Sequence, residues 1–432
     1  WVVTWWQNTM KPAVLRKVTR PLLVVIDYAD SRPEKVRDVI LAALARSTTV
    51  PVRVLLLARS AGDWWERLGD QDAHLEMALY GAVVEELAPL EDTLAGRQAA
   101  FEEALTDLAD AMEHRNWPHV PVADVPRPDL RADRFTGPGA ALTLQMTALA
   151  GLLGDTPEPG VPVEEIILKH ERRYWKQTAA EHRVDLADET LQRAVAVAAL
   201  CSATDERGAC TLLAHTPGLG DQSEDMRLRT ARWLRDLYPP PSPLPDPHPA
   251  APASSGAYWG SLQPDRLAEH LITRTVTKRP DLLTGLLSAT SPDQDHQALT
   301  VLSRASATHS DLSPVLVDLL AALPVLALPA IGVATQSEHP APLVTALTHL
   351  IESDHLSVDQ LAVIADAVPQ QTQALARFAA DLQNKITAVY ARMADQEPDA
   401  YLPGLAGALN NLSVRLGELG RREEGLAAVQ RA

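Results

Sequence analysis

Apolar runs of strand length open the chain, and a long succession of helical periods follows. Pro21-Leu22-Leu23-Val24-Val25-Ile26-Asp27 is a β-branched run that ends in an acid, and Val52-Arg53-Val54-Leu55-Leu56-Leu57-Ala58-Arg59 is a second run that ends in a base. Between them Val36, Val39, Ile40, Ala43 and Leu44 share one helical face within residues 34–46. Strand, amphipathic helix, strand at this spacing predicts a βαβ unit in a parallel sheet, because parallel neighbours need a crossover and continuous apolar strands are covered on both faces. Residues 1–6, with Trp1, Trp5 and Trp6, predict the end of an earlier strand in that sheet.

After residue 85 the pattern turns helical, with helices predicted over 91–113, 139–153, 163–180, 188–201 and 223–237. Residues 239–257 are too rich in proline for a helix and predict an exposed, extended loop. From residue 265 to about 395 helix follows helix, broken at steps such as Ser291-Pro292, Ser313-Pro314 and His339-Pro340. Stacked helical pairs, an α-solenoid, are the economical arrangement. The uncharged run 319–334 is interrupted by Pro324 and Pro329, which predicts short packed helices rather than the roughly 20 apolar residues of a membrane span. Within residues 405–429, Leu409, Leu412 and Leu416 fall on one helical face, Gly420 at a turn, and Val429 and Ala432 on the inner face of a second helix. This segment resembles a tetratricopeptide repeat, with Gly425 where that pattern normally has Ala. The fold class expected is α/β followed by all-α.

Composition narrows the functions. Against 39 Lys+Arg stand 56 Asp+Glu, a formal charge of −17, which disfavours general polyanion binding and, with it, a DNA-binding role. Two cysteines, Cys201 and Cys210, cannot make a disulfide framework, so a cytoplasmic protein is expected. A hydrophobic share of 46% is that of a globular chain with large cores. The chain opens on Trp without a leader pattern and stops inside a helical period, so a piece cut at both ends is expected.

The chemistry gathers at the ends of the two apolar runs. A buried parallel strand delivers Asp27 to the carboxyl edge of the sheet, where α/β ligands bind, and in a P-loop nucleotidase an acid so placed holds Mg²⁺ directly or through water. Asp30 is placed to orient or deprotonate an attacking water. Arg59 ends the next strand at the same edge, within reach of a γ-phosphate. The plain alternatives are a strand ending in a turn-forming Asp and a surface Arg paired with an acid such as Asp63. Histidines 114, 119, 170, 182 and 215 lack metal spacing, and neither cysteine sits in a basic setting. The run Lys169-His170-Glu171-Arg172-Arg173 is expected as a solvated helix face with i,i+4 pairing.

These segments resemble the STAND class of signal-transduction ATPases, the NACHT and apoptotic-ATPase relatives, in a form with C-terminal tetratricopeptide repeats. In the class pattern Asp27 and Asp30 match the Walker B string, Tyr28 replaces a small residue and Ser31 a terminal Glu, and Arg59 matches the sensor arginine. Leu87-Ala88-Pro89-Leu90 resembles the link into the helical lid. Thr136-Gly137-Pro138-Gly139 resembles the lid's GxP motif, whose Pro138 would pack on adenine; a helix N1 proline is the plain alternative. Pro264-Asp265 stands where relatives carry a His-Asp pair, so the histidine is missing, and His270 is expected as a packing or surface residue.

The resemblance implies a partial P-loop NTPase sheet over 1–85, a helical lid over 86–155, a winged-helix-like module over 156–280, helical repeats over 281–395 and the start of a repeat array over 396–432. No G-x-x-x-x-G-K-[ST] loop occurs in the chain, so the phosphate cradle is absent from it and the chain alone is expected to bind ATP weakly and to be inactive. The implied function is an ATP- and Mg²⁺-dependent signalling switch with slow turnover. Its repeats would bind a protein partner, and it would oligomerise on activation, without nucleic acid or membrane. The alternative is a non-catalytic repeat scaffold that retains a degenerate NTPase remnant.

Overall fold

A computed structural model describes residues 1–432 apart from 7–9, 47–48, 59–60, 71, 89, 91, 138, 157–159, 241–256, 354 and 371. The order is β1 (Val2–Trp5), β2 (Leu22–Ile26), α1 (Pro33–Leu44), β3 (Val52–Leu56), α2 (Asp63–Asp70) and α3 (Ala73–Tyr80), then α4 (Leu94–His114), α5 (Ala140–Leu152) and α6 (Val163–Glu181). Next come α7 (Asp188–Leu200), α8 (Glu206–Ala214), α9 (Glu224–Leu237) and α10 (Asp265–Lys278). The repeat region holds α11 (Asp281–Leu287), α12 (Pro292–Ser306), α13 (Leu312–Ala322), α14 (Ala327–Ala334), α15 (Ala341–Glu352), α16 (Val358–Ala367), α17 (Ala376–Ala394), α18 (Pro398–Glu418) and α19 (Arg422–Arg431). The chain is thus mostly helical, with one small sheet.

That sheet is parallel throughout, in the order β1-β2-β3, with Leu22 opposite Val2 and Val52, and Ile26 opposite Leu56. The strand expected within residues 1–6 is β1. Leu22, Val24 and Ile26 on one face of β2 pack with Val36, Val39 and Ile40 of α1, and with Trp64, Leu68 and Leu75 of α2 and α3. Burial of each such side chain contributes about 1.5–3 kcal/mol. The i, i+3, i+4 spacing of the α1 residues put them on one face, and Pro33 at its first position supplies a preset φ. On the other face Val3 (59%), Trp5 (51%) and Leu55 (45%) stay exposed, and the Arg53 guanidinium stacks 4.9 Å above the Trp1 ring. Parallel sheets are ordinarily covered on both faces, so this bare side is unusual.

The chain divides into two compact units. One holds Trp1–Ala82, Arg193–Ser261 and Ile272–Ala432; the other holds Val83–Gln192 and Leu262–Leu271. The division runs across the expected limits of 86–155 and 156–280. In the first unit the Ser202 backbone N–H and hydroxyl donate to Gln297 Oε1 at 3.0 and 2.7 Å, and Gln294 donates to the Ser202 carbonyl at 2.8 Å, which ties the segment after α7 to α12. In the second unit Asp155, after α5, accepts hydrogen bonds from Lys169 at 3.0 Å and His170 at 2.5 Å on α6. The Lys169 bond, seconded by His170, holds the Asp155 carboxyl below its usual range. Within the basic run 169–173, Lys169 and His170 reach Asp155 and Arg172 reaches Glu165.

The second unit has its own core. Phe101, Leu105, Ala109 and Met112 form a stripe on α4, whose N-cap Thr93 accepts from the Gly96 N–H, and the stripe meets Leu144, Ala148 and Leu152 of α5. In the repeat region α12 packs on α14, α13 on α15, α14 on α16 and α15 on α17. Helices α12 to α15 thus each meet the next but one, while α16 packs on α17, α17 on α18 and α18 on α19. Capping boxes at Ser291/Gln294 and Ser357/Gln360 start α12 and α16. The run 319–334 is split as its prolines require: α13 and the segment Pro324–Ala334 meet at 111°, and no single helix among the described residues is long and apolar enough to cross a membrane. In the last pair Leu409, Leu412, Leu416 and Ala428 are buried together, and Gly420 takes a left-handed φ of 75° at the turn. Val429 is 48% exposed and Ala432 is also exposed, correcting their expected inner placement; Gly425 and Ala428 hold that face instead. A Cβ at Gly425 would lie 3.0 Å from the Ser413 carbonyl, so glycine there serves close helix approach.

The chain returning from the Pro-rich loop is pinned by backbone. Tyr258 N–H donates to Ala203 O (2.6 Å), the buried Trp259 indole donates to Cys201 O (3.0 Å), and Gly260 N–H donates to Tyr238 O (2.6 Å). A Cβ on Gly260 would stand 2.7 Å from Pro239 O, a backbone atom that cannot rotate away. Gly260→Ala should therefore lower stability by about 1–3 kcal/mol in urea unfolding. Gly417→Ala, where a Cβ meets nothing within 4 Å, should raise it by about 0.5–1 kcal/mol through helix propensity. Equal effects of the two substitutions would contradict this packing.

Candidate functional site

Backbone pairing carries β2 and β3 past their last strand residues: Leu57 N–H donates to Ile26 O at 2.8 Å and Ala29 N–H to Leu57 O at 2.9 Å. Both strands consequently end on one edge of the sheet, as the two apolar runs require. Asp27 is exposed there, and its Oδ1 accepts from the Tyr28 N–H at 2.9 Å. Arg59, two residues beyond Leu57, lies outside the described residues. Tyr28 sits in the left-handed region at φ 51°, ψ 47°, uncommon for an aromatic residue, and reverses the chain into the short turn Ala29–Ser31.

Asp30 on that turn is only 8% exposed. With Tyr28, Ser303, Arg304, Gln336 and His339 it lines a cleft of about 40 Å³. In this measure about 10–15 Å³ admits one water, so the cleft has room for only a few waters. Two helices close this edge. The Arg304 guanidinium of α12 lies 5.3 Å over the Tyr28 ring, Ser303 Oγ is 2.9 Å from Ser337 Oγ, and Arg67 of α2 donates to Thr335 O at 2.9 Å beyond α14.

The turn also carries cations that sequence reasoning passed over. Burial pulls Arg32 below its ordinary pKa, opposed by the charges of Asp27, Tyr28 and Asp30. Burial likewise lowers Lys35, the neighbouring Arg32 pushes the same way, and Asp293 opposes. Arg32 stands two positions after Asp30, a local signal that was available; Arg304 is brought in from 270 or more residues away and carried none. For Mg²⁺, Asp27 fits as a single exposed carboxylate, since that ion takes one or two carboxylates and fills its shell with phosphate and water. Among the described residues no three of His, Cys, Asp and Glu gather into a metal-binding group. Among the described residues this edge therefore offers one exposed carboxylate and no cradle for a triphosphate.

Pro138 also lies outside the described residues, in the second unit. Its neighbours Gly137 and Gly139 take φ of 78° and 75°, a conformation that side-chain-bearing residues rarely adopt, and Gly139 caps α5. In the same unit Arg266 donates to Thr143 Oγ1 at 2.6 Å and to Gly139 O at 3.4 Å, and pairs at 2.6 Å with the buried Glu164. It stands directly after Pro264-Asp265 and anchors the start of α5, a role its sequence context did not signal. His270 packs 3.5 Å from Glu165, largely buried, as the expected packing histidine.

The cysteines are not nucleophiles. Cys201 is fully buried, and burial pushes its thiol up to about 12. Cys210 is raised in the same direction, chiefly by burial. Residues 205–208, between them, are the capped start of α8, with the Asp205 side chain accepting from Gly208 N–H at 2.7 Å. Comparison with family models, curated proteins and solved structures gives no match for this chain. Ellman titration of the native protein at pH 8 should leave Cys201 unreacted and Cys210 slower than a free thiol, with both released in urea. Rapid reaction of two thiols in the native state would contradict the burial.

Proposed function

We propose that this chain is the switching part of an ATP- and Mg²⁺-dependent signal-transduction ATPase of the STAND type. One observation carries the reading: β2, which leads into Asp27, is the parallel neighbour of β3, which Arg59 follows in sequence. Asp27 would hold Mg²⁺, Asp30 would orient the attacking water, and Arg59 would contact the γ-phosphate. In this reading residues 86–155 would be the helical lid and residues 156–280 the winged-helix-like module. Of the contacts across the sheet edge, the Arg304–Tyr28 cation–π contact contributes about 0.5–1 kcal/mol and the charge-assisted Arg67–Thr335 bond about 1.5–3 kcal/mol. A nucleotide with a few kcal/mol of differential affinity can open them, which is what a switch requires.

A second reading, a repeat scaffold with a nucleotidase remnant, is favoured by the 40 Å³ cleft at Asp30 and by Ser31 in place of the terminal Glu. The two separate by experiment on protein made from its complete reading frame. The switch reading expects micromolar MgATP binding by calorimetry and slow phosphate release. Asp30→Asn should keep binding within about twofold and lower turnover by about 10²–10⁴, the share of a general base. No ATP binding at millimolar concentration would leave the scaffold.

A further inference from the structure

Gln336 reaches the sheet edge from the far end of α14. Its N–H donates to Val333 O at 3.0 Å and the Ser337 N–H to the same carbonyl at 2.9 Å, so the chain stays coiled just past the helix. Thr335, the residue before it, accepts the Arg67 hydrogen bond at 2.9 Å, which fixes this end of α14 beside α2. Gln336 thereby lines the same cleft as the buried Asp30. Its Oε1 is buried and makes no hydrogen bond among the described residues. The nearby hydroxyls are already engaged: Ser303 and Ser337 pair with each other at 2.9 Å, and Thr300 donates to His296 O at 2.7 Å.

An acceptor taken out of water without a donor is destabilising. Asp30 cannot supply the donor, because an ionised carboxylate only accepts. Two acceptors on one cleft are reconciled by a small group with two hydrogens to give, and the cleft has room for only a few waters. A water that donates one hydrogen to Asp30 and the other to Gln336 Oε1 keeps its lone pairs clear of both. That is the arrangement of a nucleophile with its base already attached. The exposed Glu338 and His339 also line the cleft, so it opens to solvent on their side. We propose, resting on the ATPase reading, that Gln336 is a positioning residue that holds, with Asp30, the water attacking the γ-phosphate. The water oxygen bonds to the γ-phosphorus as the bond from that phosphorus to the bridging oxygen breaks. The water's proton passes to Asp30, and ADP leaves with the electrons of the broken bond. The pair spans the sheet and the repeat region, so turnover requires the end of α14 to stay seated on the turn that carries Asp30.

The test follows steady-state phosphate release from MgATP by protein made from its complete reading frame. Gln336→Met should lower kcat by about 10–100-fold, the loss expected of a misplaced nucleophile, with KM for MgATP within about twofold. Its melting temperature should hold or rise, because an apolar side chain replaces a buried acceptor that no protein group satisfies. The double variant Asp30→Asn/Gln336→Met should be no slower than Asp30→Asn alone, because both substitutions act on one water. Wild-type kcat in Gln336→Met would overturn the proposal and leave the ATPase reading in place. So would a double variant slower than Asp30→Asn by the full factor of the Gln336→Met loss, which would give the two side chains separate tasks. A Gln336→Met protein that melts earlier and loses kcat and MgATP affinity together would assign the glutamine to packing and equally overturn it. Failure of the wild-type protein to bind ATP is a distinct result, which removes the ATPase reading and this role with it.

Discussion

Two parallel strands cannot be joined by a tight turn, and that constraint organises the first part of this molecule. The chain leaving β2 must cross over before β3 can pair with it, and α1 is the crossover. The crossover buries Val24 and Ile26 beneath α1 and brings both strands to a common edge. Every property of the candidate site follows from that edge: the exposed Asp27, the left-handed Tyr28, the buried Asp30 and the arginine of α12 that covers the Tyr28 ring. Without the β2–β3 pairing, Asp27 and the approach to Arg59 would have no reason to share a side of the sheet.

Local periodicity made much of this legible beforehand. The acid-ended strand, its amphipathic helix, the next strand and the long helices from Leu94 onward are written in patterns of a few residues, as is the break of the uncharged run at Pro324. Helices α2 and α3 were not foreseen, because eight residues give too short a period to separate from loop. The inner face of the last helix was placed one position late, on Val429 rather than Ala428; a single-residue error turns an α-helix by about 100°. Contacts between distant segments left no trace in the pattern. The Arg304–Tyr28 stack, the Arg266–Glu164 pair and the bonds from Asp155 to Lys169 and His170 all arise from chain reversals that no local window records.

The two surfaces with chemistry differ in kind. At the sheet edge charged groups crowd a cleft of 40 Å³, with Arg32 and Lys35 displaced from their ordinary pKa by burial. A ligand of nucleotide size reaches Asp27 only from its exposed side, so binding at this edge requires further groups around that carboxylate. In the C-terminal helices the opposite holds: a groove of about 680 Å³ stands open over α16, α17 and α18. The first surface is covered by helices packed against the sheet edge; the second is bordered by Gly404 and Gly407.

The central claim is that Asp27 holds the divalent ion of a bound nucleotide, and paramagnetic resonance tests it most directly. With Mn²⁺ and ATP added to protein made from its complete reading frame, wild type should show an immobilised Mn²⁺ spectrum. Asp27→Asn should return that ion to the spectrum of free Mn²⁺–ATP while the protein's melting temperature stays unchanged. Identical immobilised spectra from the two proteins would place the metal elsewhere and contradict the account.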